Sequence, residues 1–76
     1  MTYTFHVVIT QAAGLWRVRC PALESHGAIT RGETKEEALT HIHSILVMIL
    51  GKMKVDGTTI PPDSAVLDGI PLSVDV

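Results

Sequence analysis

Tyr3, Phe5, Val7 and Ile9 fall on one side of a two-residue alternation at the start of the chain, with Thr4, His6 and Thr10 on the other and Val8 as the exception. This spacing predicts a half-buried strand within Met1 to Thr10. Gln11 to Gly14 supplies a short turn, after which Trp16, Val18 and Cys20 alternate with Arg17 and Arg19, so Leu15 to Cys20 is expected to form a hairpin with the first strand. Pro21 lacks a ladder donor and ends that strand; Ala22 to Gly27 reads as loop, and Ala28 to Thr30 as a short third strand.

The period then changes. Ala38, Leu39, Ile42, Ile45, Leu46, Ile49 and Met53 recur at spacings of three and four, the mark of one helical stripe facing a sheet. Thr34-Lys35-Glu36-Glu37 supplies a capping box ahead of it, with acidic residues in the first turn where the helix dipole favours them. A helix from about Lys35 to Met53 is predicted. Asp56-Gly57, Pro61-Pro62 and Asp68-Gly69 are turn signals that argue against further helix and make Val55 to Gly69 a long loop. Ile70, Leu72, Val74 and Val76 alternate with Pro71, Ser73 and Asp75 as a fourth strand.

Strand, strand, strand, helix, strand is the resulting order. One amphipathic helix covers one face of a four-stranded sheet, so the expected fold class is α+β, a two-layer sandwich with one open sheet face. The same order occurs in a truncated ribonuclease H fold. A fourth strand lying parallel beside the first would require a right-handed connection.

Composition narrows the classes. At 76 residues the chain is expected to be a single domain, residues 1–76, and 46% hydrophobic against 18% charged residues is the balance of a folding chain. Six Lys and Arg against eight Asp and Glu give a net charge of −2, too little positive charge to expect direct nucleic-acid binding. The alternating start is unlike a signal peptide, and the longest apolar run, Ile45 to Leu50, is far short of the roughly 20 residues a bilayer crossing needs, so no membrane segment is expected. A lone Cys20 forms no internal disulfide and points to the cytoplasm as the default compartment.

Spacing decides which residues can carry chemistry. His41 and His43 are two apart on a helix and point about 200° apart, which does not suit one metal ion, while His6 on a strand and His26 in a loop lack ligand-spaced companions. Solvated or interface histidine is the simpler reading, and neither a metal nor a cofactor is expected. Cys20 alternates with Trp16 and Val18 and reads as a small core residue. A nuclease of the ribonuclease H kind needs acidic residues to hold magnesium, at least one on the first strand, and Met1 to Thr10 contains none, so no catalytic residue is expected. Gly-rich phosphate cradles are absent. Arg17 and Arg19 on the outward side of the second strand, near His6 and with Arg31 as a further member, form a small basic patch on the open sheet face; a solvated strand face is the simpler reading, and His6, Arg17 and Arg19 are a candidate partner-contact face. Val47 and Met48 point away from the core stripe and, with His43 on the helix and Val8 on the open sheet face, are candidate oligomer-interface residues.

Pro21 and Leu23, then Gly32-Glu33-Thr34-Lys35-Glu36-Glu37-Ala38-Leu39, then Asp56-Gly57 with Ile60-Pro61 form an ordered set. The set resembles the HicB-like antitoxin family, with its P-x-L, G-[DE]-T-x-E-E-A-L and D-G-x-x-[IL]-P pattern over nearly the whole chain. These residues mark the fold and form no active site: Gly32 is expected to let the chain turn off the third strand, Thr34 and Glu37 to start the helix, and Ala38 to let it approach the sheet. The resemblance implies a non-catalytic cytoplasmic protein that binds and occludes a HicA-type mRNA interferase toxin, a small basic protein. Family members that repress their own operon carry a C-terminal DNA-binding module; none follows the fourth strand here, so operator binding is not expected. A homo-oligomer, dimer or tetramer, is expected, and an orphan homo-oligomeric domain without a toxin is the alternative.

Overall fold

The computed structural model describes residues 2–60 and 69–75. Within them the chain forms β1 (Thr2–Ala12), β2 (Leu15–Arg19), a 3-10 helix (Pro21–His26), β3 (Ile29–Gly32), α1 (Lys35–Asp56) and β4 (Ile70–Asp75). The strands make one sheet in the order β3-β2-β1-β4, and α1 covers one of its faces. The expected α+β class with one helix on a four-stranded sheet is observed. Pro61 of the family-like pattern and most of the Val55 to Gly69 loop lie outside the described residues.

Every neighbouring strand pair is antiparallel. A parallel fourth strand, with its right-handed connection, is therefore not what forms: β4 sets Asp75 opposite Thr2 and Ile70 opposite Val7. Alternation decides which side chains of β4 face the core but not which way the strand runs. The thirteen residues from Gly57 to Gly69, at up to about 3.5 Å each, can reach either end of β1. Side chains that suit the antiparallel choice meet across the pair, Thr4 Oγ1 lying 3.2 Å from Ser73 Oγ and Thr2 Oγ1 donating to Asp75 Oδ1 over 3.5 Å.

The β1–β2 hairpin is tighter than the predicted Gln11 to Gly14 turn. Ala12 pairs with Leu15, leaving a two-residue turn of Ala13 (φ 53°) and Gly14 (φ 77°). Positive φ at both positions is the type I′ turn that matches the twist of paired strands. Ala13 carries a Cβ into the left-handed region, where it costs about 1–2 kcal/mol. Between β2 and β3, the segment expected as loop is a 3-10 helix with Pro21 at its start and Gly27 (φ 91°) at its end; it drops Leu23 into the core. Cys20 N–H donates to the Ala28 carbonyl over 2.9 Å and closes the base of this excursion. Six residues are too few to display a helical period in sequence. β3 itself runs Ile29–Gly32 instead of Ala28 to Thr30.

α1 extends three residues past the predicted Met53, to Asp56. Asp56-Gly57 is not a turn after the helix but its end: Gly57 (φ 72°) donates to the Lys54 carbonyl and Thr58 N–H to that of Met53, the paired bonds of a Schellman cap. At the other end Glu37 N–H donates to Thr34 Oγ1 over 3.0 Å, which is one of the two capping-box bonds. Ala38, Ile42, Leu46, Leu50 and Met53 are buried against Phe5, Val7, Val18, Cys20, Leu23, Ala28 and Val74, while Leu39, Ile45 and Ile49 flank them half-buried. As a whole α1 is long and apolar enough to cross a membrane by length and composition, which the contiguous apolar run alone underestimates; core helices packed on a sheet meet the same criterion.

Gly32 serves closeness, not the turn expected of it. Its φ is not positive, and a Cβ built on it would lie 2.6 Å from Ala38 N and 3.0 Å from Ala38 Cα. The start of α1 thus rests directly on the end of β3. Gly32→Ala forces those backbones apart and is expected to lower unfolding free energy in urea by about 1–3 kcal/mol; a loss below about 0.5 kcal/mol, the range of neutral surface changes, would show that the contact can relax freely. Ala13→Asn, which favours the left-handed turn, is expected to raise stability by about 1 kcal/mol and the melting temperature by roughly 4–8 °C. No rise would mean that the hairpin closes without strain at Ala13.

Candidate functional site

Among the described residues two exposed surfaces remain once the core is closed: the open face of the sheet and the outer face of α1. On the sheet, the registers place Arg17 opposite Arg31 on one side and Thr10 on the other, and Arg19 between Ile29 and Val8. His6 lies in the same face, opposite Pro71. His6, Arg17, Arg19 and Arg31, read from sequence as one patch, are thus brought together, and Ile29 joins them. Two adjoining depressions mark this face. One, of about 170 Å³, is lined by Val8, Thr10, Arg17, Arg19 and Ile29, and the other, of about 390 Å³, by Arg17, Ile29, Thr30 and Arg31.

Arg19 Nη1 donates to Glu24 Oε2 over 3.1 Å, with both side chains about half exposed, so solvent and salt weaken that pair. Arg17 and Arg31 face each other across the β2–β3 pair with no ion pair to a described acidic residue. Like charges directly opposite on a sheet repel, and no acidic side chain among the described residues pairs with either. Ile29, at 54% exposure, was read from sequence as part of an apolar strand; its position opposite Arg19 sends it outward. The run Ala28-Ile29-Thr30 is too short for its alternation to reveal which residue faces the core.

On α1, Val47 (37% exposed) and Met48 (69%) face outward as expected, and Val55 (86%), beyond the predicted helix end, joins them. His43 is half-buried on the flank of the same helix. Val8 belongs to the other layer, so the four candidate oligomer residues do not make one surface: Val47, Met48 and His43 lie on the helix, and Val8 lies among the arginines on the open sheet.

The histidines do not converge. His41 Nδ1 sits 2.9 Å from the Arg31 carbonyl and, protonated there, donates to it, tying the edge strand β3 to α1. His26 lies beside the C-terminal end of α1 with Lys52, Met53 and Asp56. Among the described residues no group of three His, Cys, Asp or Glu side chains is placed to hold a metal. Cys20 is fully buried among core residues.

The residues of the family-like pattern sit at positions that govern the fold. Pro21 opens the 3-10 helix, Leu23 and Ala38 are buried, Gly32 admits α1, Thr34 caps it, Glu36 and Glu37 occupy its first turn, Leu39 flanks the core, and Asp56 and Gly57 end the helix; Glu33 is exposed. Comparison of the chain with protein-family models, with curated proteins and with solved structures finds no match in any of the three.

The arginine pair makes its own prediction. Arg31→Glu converts a repulsive cross-strand pair into an attractive one and is expected to raise stability by roughly 0.2–1 kcal/mol. It should also turn the effect of added salt on the melting temperature from stabilising to destabilising, because salt screens whichever interaction is present. Equal stability with an unaltered salt response would show that the two guanidinium groups are too well solvated to interact.

Proposed function

We propose that this chain is a non-catalytic interaction domain of the HicB-like kind, with the truncated ribonuclease-H-like fold of that family, which self-associates and occludes a HicA-type mRNA interferase toxin in the cytoplasm. The observation that carries the reading is the use of the pattern residues. Pro21, Leu23, Gly32, Thr34, Ala38 and Gly57 are each tied to a specific structural demand, at the two ends of a helix, at its closest approach to the sheet and in the loop that fills the core. Their structural placement is the support for the reading.

Charge limits how such a partner docks. A basic toxin meets like charge on the open sheet face, where Arg17, Arg19 and Arg31 stand together, so His6, Arg17 and Arg19 suit it poorly as the contact surface. Occlusion in this reading needs no catalytic group on the chain. The alternative, an orphan homo-oligomeric domain without a toxin, draws on the exposed apolar residues of α1.

The deciding experiment is co-expression with the small basic protein encoded by the neighbouring reading frame. The account expects that protein alone to arrest growth with mRNA cleavage, and co-expression to restore growth and yield a complex that survives purification. Absence of such a reading frame, or arrest untouched by co-expression, would overturn the toxin reading and leave the orphan domain.

A further inference from the structure

Gly51 stands half-buried in the interior of α1, and nothing among the described residues accounts for a glycine there. Its φ is not positive, and a Cβ added there would meet nothing within 4 Å. Glycine in a helix interior is destabilising relative to alanine, so this position gives up stability for no return among the described residues. Its neighbours on the helix surface, at spacings of three and four, are Thr40, Ser44, Val47, Met48 and Val55, all exposed. Small residues at Thr40, Ser44 and Gly51 alternate with the apolar side chains of Val47, Met48 and Val55, the composition of a seam that another helix can approach closely.

We propose that this seam is where two copies of the chain meet, their α1 helices antiparallel and aligned end to end, so that Thr40 of one faces Gly51 of the other and Ser44 faces Val47. Charge selects the second copy and its direction. Glu36 and Lys54 are about five helical turns apart and therefore lie on the same flank of the seam, one near each end of α1; Glu37 is likewise five turns from Val55 and in line with it, and Lys52 lies on the opposite flank, about 60° further round the helix. All four charged residues are exposed. A two-fold axis through the middle of the helix brings Glu36 of each copy beside Lys54 of the other, and Glu37 beside Lys52, every pair occurring twice. Parallel alignment instead sets Glu on Glu, Lys on Lys and the two helix dipoles side by side. The helix thus carries the complement of its own charge pattern once reversed. This inference rests on the self-association part of the functional reading and is independent of any toxin.

Two readouts test it on the full chain. Glu37→Cys and Val55→Cys, made as separate proteins, are oxidised alone and mixed, with the unmodified chain as control. The account expects a disulfide-linked pair in the mixture only, because each new cysteine lies far from its own copy and close to the other in the antiparallel arrangement. Cross-linking of each variant with itself, or none in the mixture, overturns it. In the second, Gly51→Ala is melted at high protein concentration. A chain whose helix faces only water gains stability from alanine, so a rise of a few degrees overturns the proposal; a fall supports it, because the added methyl groups push the two helices apart. Flotation of an 8.2 kDa monomer with phosphatidylglycerol vesicles would overturn it in favour of a lipid occupant. Since neither readout contains the toxin-type partner, failure here and failure of the toxin reading are told apart.

Discussion

The backbone contact between Gly32 and Ala38 is the constraint on which the rest of the molecule depends. A Cβ at Gly32 would lie 2.6 Å from Ala38 N, so it is the missing side chain there that lets the start of α1 rest on the end of β3. With the first turn of α1 held there by Thr34 and pressed onto the end of β3, the rotation of the helix is set: Ala38, Ile42, Leu46, Leu50 and Met53 turn toward the sheet. His41 reinforces the same junction from the side through the Arg31 carbonyl. This one stripe supplies five of the twelve buried hydrophobic residues among the described residues, and because the hydrophobic contribution scales with apolar area removed from water, rotating the helix by even one position would forfeit that burial.

Seating the helix also determines what is left outside. The face opposite the buried stripe is fixed as Thr40, Ser44, Val47, Met48, Gly51 and Val55, and the face of the sheet away from the helix as His6, Val8, Arg17, Arg19, Ile29 and Arg31. The two differ in chemistry. One is apolar and small, with charges of both signs at its flanks, and suits another helix of the same kind. The other is basic and dotted with exposed aliphatic carbon, and repels a basic partner. The described residues thus present two surfaces in separate layers, Val8 on the open sheet and Val47 and Met48 on the helix, the division expected from sequence.

Much of the fold was legible because the periods were clean. Two-residue alternation in β1, β2 and β4 and the three-and-four spacing of α1 gave the element order and the α+β class. Three features were not legible, each for a physical reason. The direction of β4 is invisible to alternation, which is unchanged when a strand is reversed, and a connection of thirteen residues imposes no direction of its own. The 3-10 helix is six residues, two turns of its own period and fewer than two of the α-helical one, too few for a pattern to announce it. Asp56-Gly57 signals the end of a helix and a turn with the same residues, and only the bonds from Gly57 and Thr58 back to Lys54 and Met53 distinguish them. At the candidate surfaces, Val47 and Met48 were found by helical geometry, whereas Gly51 carries information only once its surroundings are known to be empty. Ile29 needed the strand register, which also sets Arg31 directly opposite Arg17.

The central claim is that α1 works on both sides, seating the sheet with one face and a second copy of the chain with the other. Sedimentation equilibrium of the unmodified protein over a wide concentration range tests it most directly. The account predicts a mass that rises with concentration to twice 8.2 kDa, or to a multiple built from that pair; 8.2 kDa at every concentration would contradict it.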